Sequence, residues 1–427
     1  MAEANGNDPG EAALAAEAWL HLRRNYAVHL LHGMLGQTGF RLIQAPTFIP
    51  AYVHLLSGSD LVVGIARASQ AFGQFLTPIM SANLVEHRRR VLPIGFLVGG
   101  AMRLQILGIA LAGFFLSTEV NVIAVCVFLG LFGFFLGMQG VIFNLLISKV
   151  IPLKHRGVLQ GTRSALASLT VALVGGVGGV LVARDALGNG YAATFLLAFV
   201  LTALGLACLA FMREPESPSV RDAKPLGARL ADLPHLLRVD PSFTRYLLAR
   251  GLGVMGRMAV PFYVVLAQTR LDLSGQQLGL LTAGFGLSQG LVNLAFGWIA
   301  DRRGFRAAFL WAIAVWIGSA LILLGAHDFD RVLLGFLGLG AGLGGFMMSS
   351  QNLVLEFGSR ANLPMRIAVA NSASELVGVV APILGGVLAG VWSYPGVIAV
   401  AIGFKVLAFA ITVVAVDEPR HQEDHPL

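Results

Sequence analysis

Charge is scarce in this sequence. Only 12% of its 427 residues are Asp, Glu, Lys or Arg, while 56% are hydrophobic. Soluble globular chains carry roughly 25% charged residues, so the composition excludes a string of soluble domains. Cysteine is almost missing. Cys126 and Cys208 both sit in apolar runs, which excludes a disulfide framework or a zinc site and leaves two small core residues. Lysine is nearly as rare. None of Lys149, Lys154, Lys224 and Lys405 is followed by Ser or Thr, so the chain has no Walker A loop and is not itself a P-loop ATP-driven pump. The short alternating segments of a membrane β-barrel are also missing.

What the sequence does have is long apolar runs, recurring from His29 to Val416 and near the ~20 residues needed to cross a bilayer. The expected fold class is an all-α membrane protein with twelve transmembrane helices. The spans fall at 27–55, 61–83, 92–115, 121–148, 157–183, 191–212, 243–268, 276–300, 306–326, 331–357, 366–391 and 395–416. The organisation follows: a tail at 1–26, a six-helix bundle at 27–212, a central loop at 213–242, a second six-helix bundle at 243–416, and a tail at 417–427. The central loop is proline-rich, with Pro215, Pro218, Pro225, Pro234 and Pro241, and reads as a hinge. The first 25 residues lack the basic start and apolar core of a signal peptide.

Positive charge orients the spans. Arg184, Arg270 and Arg331 are the three Lys or Arg residues in loops on one side; twenty lie at the ends and loops of the other, and seven lie inside spans. The positive-inside rule then places both tails and the central loop in the cytoplasm. The same distribution accounts for most of the net charge of +7 without nucleic acid.

The two halves repeat each other. At an offset of 217, Leu30-Leu31 falls on Leu247-Leu248 and Gly39 on Gly256. At 215, Gly64, Ala68, Gln74 and Leu76 fall on Gly279, Ala283, Gln289 and Leu291. At 212, Gln139 falls on Gln351, and at 210, Arg156 falls on Arg366. Two parallel six-helix repeats are the sequence form of a transporter whose site lies between them near the bilayer midplane.

The loop between spans 8 and 9 runs Gly297-Trp298-Ile299-Ala300-Asp301-Arg302-Arg303-Gly304-Phe305-Arg306. It resembles the G-x-x-x-D-R-x-G-x-R signature of the major facilitator superfamily. The corresponding loop between spans 2 and 3, with Glu86, Arg88, Arg89 and Arg90, keeps an acid and basic residues but lacks both glycines. Pro152 followed by Arg156 and Gly157, between spans 4 and 5, also resembles the family. The resemblance implies that fold, alternating access, and a gate built from Asp301, Arg302, Gly304, Glu86, Arg88 and Arg156, with Asp301 closing against span 11. It does not fix the substrate.

Other motif matches dissolve in context. Gly286-Leu287-Ser288-Gln289-Gly290 has the spacing of a nucleophile elbow but lies mid-span. Gly340, Gly342 and Gly345 have dinucleotide-loop spacing with no preceding strand. Close helix packing by small residues accounts for both. His29 and His32 have no acid or cysteine beside them and read as polar residues near the start of span 1. No metal or cofactor is expected, and no nucleophile–base set supports an enzyme.

The informative residues are charges inside spans. An ionised side chain at mid-bilayer costs about 2.5–3.5 kcal/mol on insertion scales and marks a functional site by default. Arg41, Arg67, Arg103, Arg163, Arg250, Arg257 and Lys405 lie within spans, against one clearly internal acid, Glu375. Arg41 and Arg257 are 216 residues apart and so equivalent within the repeat. Gln37, Arg41 and Gln44 share one helical face. An arginine pair from spans 1 and 7 resembles the anion clamp of the organophosphate:phosphate antiporters of the superfamily, at those two positions alone. Guanidinium stays charged and offers a planar fork to carboxylate or phosphate.

The expected activity is therefore secondary transport of a small anionic solute, proton-coupled or by anion exchange. Arg41, Arg257, Gln37, Gln44, Arg103, Gln139 and Gln351 are the candidate substrate contacts and Glu375 the proton-coupling acid. Two other readings stand beside it: a proton-driven exporter of hydrophobic compounds using Glu375, and a non-transporting membrane assembly or sensor subunit on the same fold. The expected setting is a monomer in a bacterial inner membrane. The 26 arginines against four lysines fit a GC-rich genome.

Overall fold

The computed structural model describes residues 16–86, 88–216, 240–357 and 363–416. Most of the 1–26 tail, the 417–427 tail and the middle of the central loop lie outside the described residues. Within them the chain is helix and connecting turn, with no strand. The helices are α1 (Leu22–Gln44), α2 (Phe48–Ser57), α3 (Asp60–Glu86), α4 (Leu92–Phe115), α5 (Thr118–Val150), α6 (Leu153–Ala183), α7 (Gly190–Cys208), α8 (Pro241–Met255), α9 (Phe262–Leu271), α10 (Gly275–Leu324), α11 (Phe329–Leu353), α12 (Leu363–Val391) and α13 (Tyr394–Ala415).

These are the twelve expected spans with two corrections. Span 1 is not one helix but α1 and α2, broken over Ala45–Thr47, and span 7 is α8 and α9, joined by a 3-10 turn at Gly256–Ala259. Spans 8 and 9 run as the 50-residue α10, interrupted at Gly304. There φ is 83° and ψ is 161°, a region open essentially to glycine alone. That residue lets the chain reverse within the signature loop.

The chain forms two compact units, one of Met1–Gln44 with Ser69–Pro225 and one of Ala45–Ala68 with Leu226–Leu427. The segment 45–68, which a division by sequence repeat assigns to the first half, thus packs within the second unit. In the first unit α1 packs on α6 and α7, and α4 on α5 and α7. The second unit repeats the scheme, with α8 on α12 and α13, and α10 on α11 and α13.

Small residues set the closeness of these crossings. A Cβ on Gly205 of α7 would run into the Gly36 backbone of α1, so the two helices meet backbone to backbone, as helices in lipid commonly do. The first unit's apolar core includes Val28, Val98, Met138, Ile142, Phe143 and Leu146.

Candidate functional site

Two helix breaks carry the principal candidate residues. Pro46 has no N–H and disfavours helical backbone at Ala45, so α1 ends at Gln44. Pro261, 215 residues later, stands at the equivalent point, just before α9. Arg41 lies in the last turn of α1 and Arg257 in the 3-10 turn itself. The break frees backbone groups, and Arg67 of α3 takes one of them, donating from Nη2 to the Ala45 carbonyl at 2.6 Å. Non-helical backbone at membrane depth persists only where protein buries it or it lines a water-filled cavity.

In the first unit, Arg41 is half-buried and donates from Nη1 to Ser168 Oγ of α6 at 2.7 Å. Arg163, also on α6, is close enough to act on it electrostatically. Gln37 is half-buried and Gln44 exposed on the same helix. Nothing in the local sequence marks Ser168 as the partner, because it lies 127 residues from Arg41.

In the second unit, Arg257 is half-buried and stands within electrostatic reach of both Arg67 and Glu375. Arg250, one helical face earlier on α8, is buried and donates from Nη2 to Asn371 Oδ1 of α12 at 3.0 Å, one turn before Glu375. Glu375 is thus an acid among arginines, half-buried on α12. Gln351 is exposed on α11. Lys405 of α13 is fully buried and has no carboxylate partner among the described residues. Its ammonium lies 4.4 Å from the Trp316 ring centroid and 3.4 Å from the Tyr263 hydroxyl, and its stem packs at Gly256 beside the span 7 break.

Two sequence candidates lie away from the breaks, inside the first unit. Arg103 of α4 is 2% exposed and donates to the carbonyls of Thr202 at 2.6 Å and Gly99 at 2.7 Å. Gln139 of α5 is buried beside it.

The expected gate residues sit at the basic-loop ends of the helices. Asp301 and Arg302 are exposed, with the Arg302 guanidinium 4.1 Å from the Trp298 ring centroid. Arg88 is exposed; Glu86 ends α3, and its side chain lies outside the described part. Arg156 caps the end of α5, donating to the Ile151 and Ser148 carbonyls at 2.8 and 2.6 Å.

Sequence reasoning missed two acids here. Glu214 accepts from the Val91 and Leu92 amides at the start of α4 and pairs with Lys149 of α5 at 3.1 Å. Asp240 caps α8 and pairs with Arg366 of α12. Both fall in the polar 213–242 stretch, where an acid ordinarily reads as solvated. Among the described residues, no group of three or more His, Cys, Asp and Glu side chains is placed to hold a metal ion.

Comparison with solved structures places the chain near several transporters. A D-xylose–proton symporter matches with a TM-score of 0.72 at 14% identity, over 94% of this chain and 99% of the other. The nucleoside transporter NupG matches with a TM-score of 0.67 at 12% identity, over 94% and 98%. The human organic anion transporter MFSD10 matches with a TM-score of 0.63 at 16% identity, over 91% and 99%. At such identities the likeness is one of fold. Comparison with curated protein sequences finds no match. The family model described as Major Facilitator Superfamily matches residues 30–274 and 246–427. With twelve spans in two packing repeats and a model match along nearly its whole length, the chain belongs to the major facilitator superfamily.

Proposed function

We propose that this membrane protein is a secondary transporter that moves a small anionic solute by alternating access. The observation that carries the reading is the position of Arg41 and Arg257, each half-buried at the break of the first span of its repeat. Broken spans near the bilayer midplane are where transporters of this architecture bind substrates and coupling ions. Two permanent cations there favour a carboxylate, phosphonate or phosphate group. Gln37 and Gln44 extend the polar face of α1, and Arg67 adds a third guanidinium near Arg257.

Glu375 supplies the coupling. Protonated, it leaves Arg257 free for the anion; ionised, it competes for that guanidinium. The similar structures include an organic anion transporter, a sugar–proton symporter and a nucleoside transporter, which supports secondary transport. The setting is a bacterial inner membrane, with a monomer whose tails and Asp301 gate face the cytoplasm.

Transport in proteoliposomes tests this directly. Candidate anions are first ranked by their stabilisation of the purified protein. Uptake of the best one should then collapse in Arg41→Lys and Arg257→Lys, since lysine keeps the charge but loses the fork. Wild-type rates in both variants would overturn the clamp.

A further inference from the structure

The interior of the first unit holds a second polar cluster, which takes in the sequence candidates Arg103 and Gln139 and on which the Arg41–Arg257 clamp proposed above does not draw. It is built around Phe143 of α5. The rings of His29 and His32 of α1 both lie 5.3 Å from the Phe143 ring, and the Arg163 guanidinium of α6 lies 4.2 Å from its centroid. Arg103 continues the cluster. Its Nη2 and the His32 ring both approach within 3.5 Å of the point a Cβ on Gly36 would occupy, and its Nη1 and Gln139 Oε1 flank the equivalent point at Gly99.

These side chains are buried, yet their polar atoms are not all satisfied. Both ring nitrogens of His29, Nε of Arg163, Nη2 of Arg103 and Oε1 of Gln139 have no hydrogen-bond partner among the described residues. His29 is 0% exposed and Arg163 7%. His32 Nδ1 lies 2.9 Å from the Gly205 carbonyl and must therefore carry the proton there. Arg163 Nη1 donates to Gln160 Oε1 at 3.3 Å. Native interiors rarely leave such groups orphaned; a water or an ion normally completes them.

Charge separates the two. Arg103 and Arg163 are permanent cations, and Arg41 acts on Arg163 from further along α1. From the packed elements come His29, His32 and Arg41 on α1, Arg103 on α4, Gln139 on α5, and Gln160 and Arg163 on α6; α7 contributes backbone carbonyls. Among the described residues no carboxylate faces the cluster. Water would satisfy the dipoles and leave two guanidiniums uncompensated in an apolar surround. An anion does both. The surrounding core of Val28, Val98 and Ile142 is almost fully buried, which suits a singly charged, easily dehydrated ion over a multiply charged oxyanion.

We propose that the first unit carries a resident halide-sized anion among His29, His32, Arg103, Gln139 and Arg163, a site separate from the transported solute's. It ties α1, α4, α5 and α6 together.

The test uses the purified full chain and chloride as the probe. Thermal unfolding is followed in chloride and in gluconate at equal ionic strength. Chloride should raise the midpoint by several degrees, saturably, and bromide should substitute. In Arg163→Gln and His29→Phe the chloride affinity should fall about tenfold or more, while Arg41→Lys and Arg257→Lys keep the wild-type response. That contrast separates this site from the transport clamp. Equal midpoints in chloride and gluconate for the wild-type protein would overturn the site, as would an undiminished response in both Arg163→Gln and His29→Phe. Should those two variants not fold, equilibrium binding of radiolabelled chloride to the wild-type protein decides: about one ion retained per chain supports the site, and none retained refutes it.

Discussion

Arg41 and Arg257 occupy equivalent turns of two repeats, but their neighbourhoods differ in kind. Arg41 meets the hydroxyl of Ser168 and has another cation, Arg163, in reach. Arg257 stands within electrostatic reach of Glu375 and of Arg67. A hydroxyl holds a guanidinium in place without changing its charge. A carboxylate can neutralise it, and can stop doing so by taking up a proton. On the proposed coupling, the same residue at the equivalent point of the repeat is a fixed cation in one half and a switchable one in the other.

Four experiments break or sharpen that contrast. The largest effect belongs to Glu375→Gln, which should abolish accumulation driven by a pH gradient while exchange of substrate across the membrane continues. Variants at Arg41 should instead lower driven uptake and exchange together. Wild-type uptake that ignores a proton gradient would remove the switch, as would a Glu375→Gln protein that still accumulates substrate with the gradient.

Next comes Gly304→Ala. Its backbone angles cost a Cβ-bearing residue on the order of 1–3 kcal/mol, so melting of the purified protein should fall by several degrees. Arg88→Gly in the glycine-free loop of the other half should change stability by less than about 0.5 kcal/mol.

Ser168→Ala removes one neutral partner of a charged donor, worth roughly 1–2 kcal/mol. The KM for the transported anion should change several-fold, with pH dependence untouched; a changed pH profile would mean that the first half is switchable as well. Lys405→Met should have the smallest effect. A buried ammonium that faces, among the described residues, a π face and a phenol can be replaced by an apolar chain of similar length at little or no cost. The expected melting temperature is unchanged or raised, and a large fall would show that the ammonium holds the span 7 break in shape.

The fold was largely legible because its causes are local. Scarce charge, apolar runs and basic loops report spans one at a time, and the Gly304 turn is written in a single residue. The breaks in spans 1 and 7 were hidden by an apolar pattern that continues across Pro46 and Pro261, although the 215-residue spacing of those prolines was a usable signal. The site partners were harder. Ser168 reaches Arg41 from span 5, and Asn371 reaches Arg250 from 121 positions away. Glu214 and Asp240 looked like solvated linker acids until the helix ends they cap were known. The cluster around Phe143 draws on spans 1, 3, 4 and 5, and no stretch of sequence shows more than two of its members.

The weakly apolar character of α1 bears on how the protein is made. Nine described helices are long and apolar enough to cross a membrane, one of them two spans long, and neither α1 nor α3 is among them. Span 1 leaves the ribosome before the other spans, carrying His29, His32, Gln37, Arg41 and Gln44. The groups that receive these side chains, Gly205 and Ser168, are on α7 and α6. The first span is therefore expected to settle in lipid only once the fifth and sixth are made, so a nascent chain stopped near residue 150 should leave α1 extractable by alkali, while one carried past residue 212 should not.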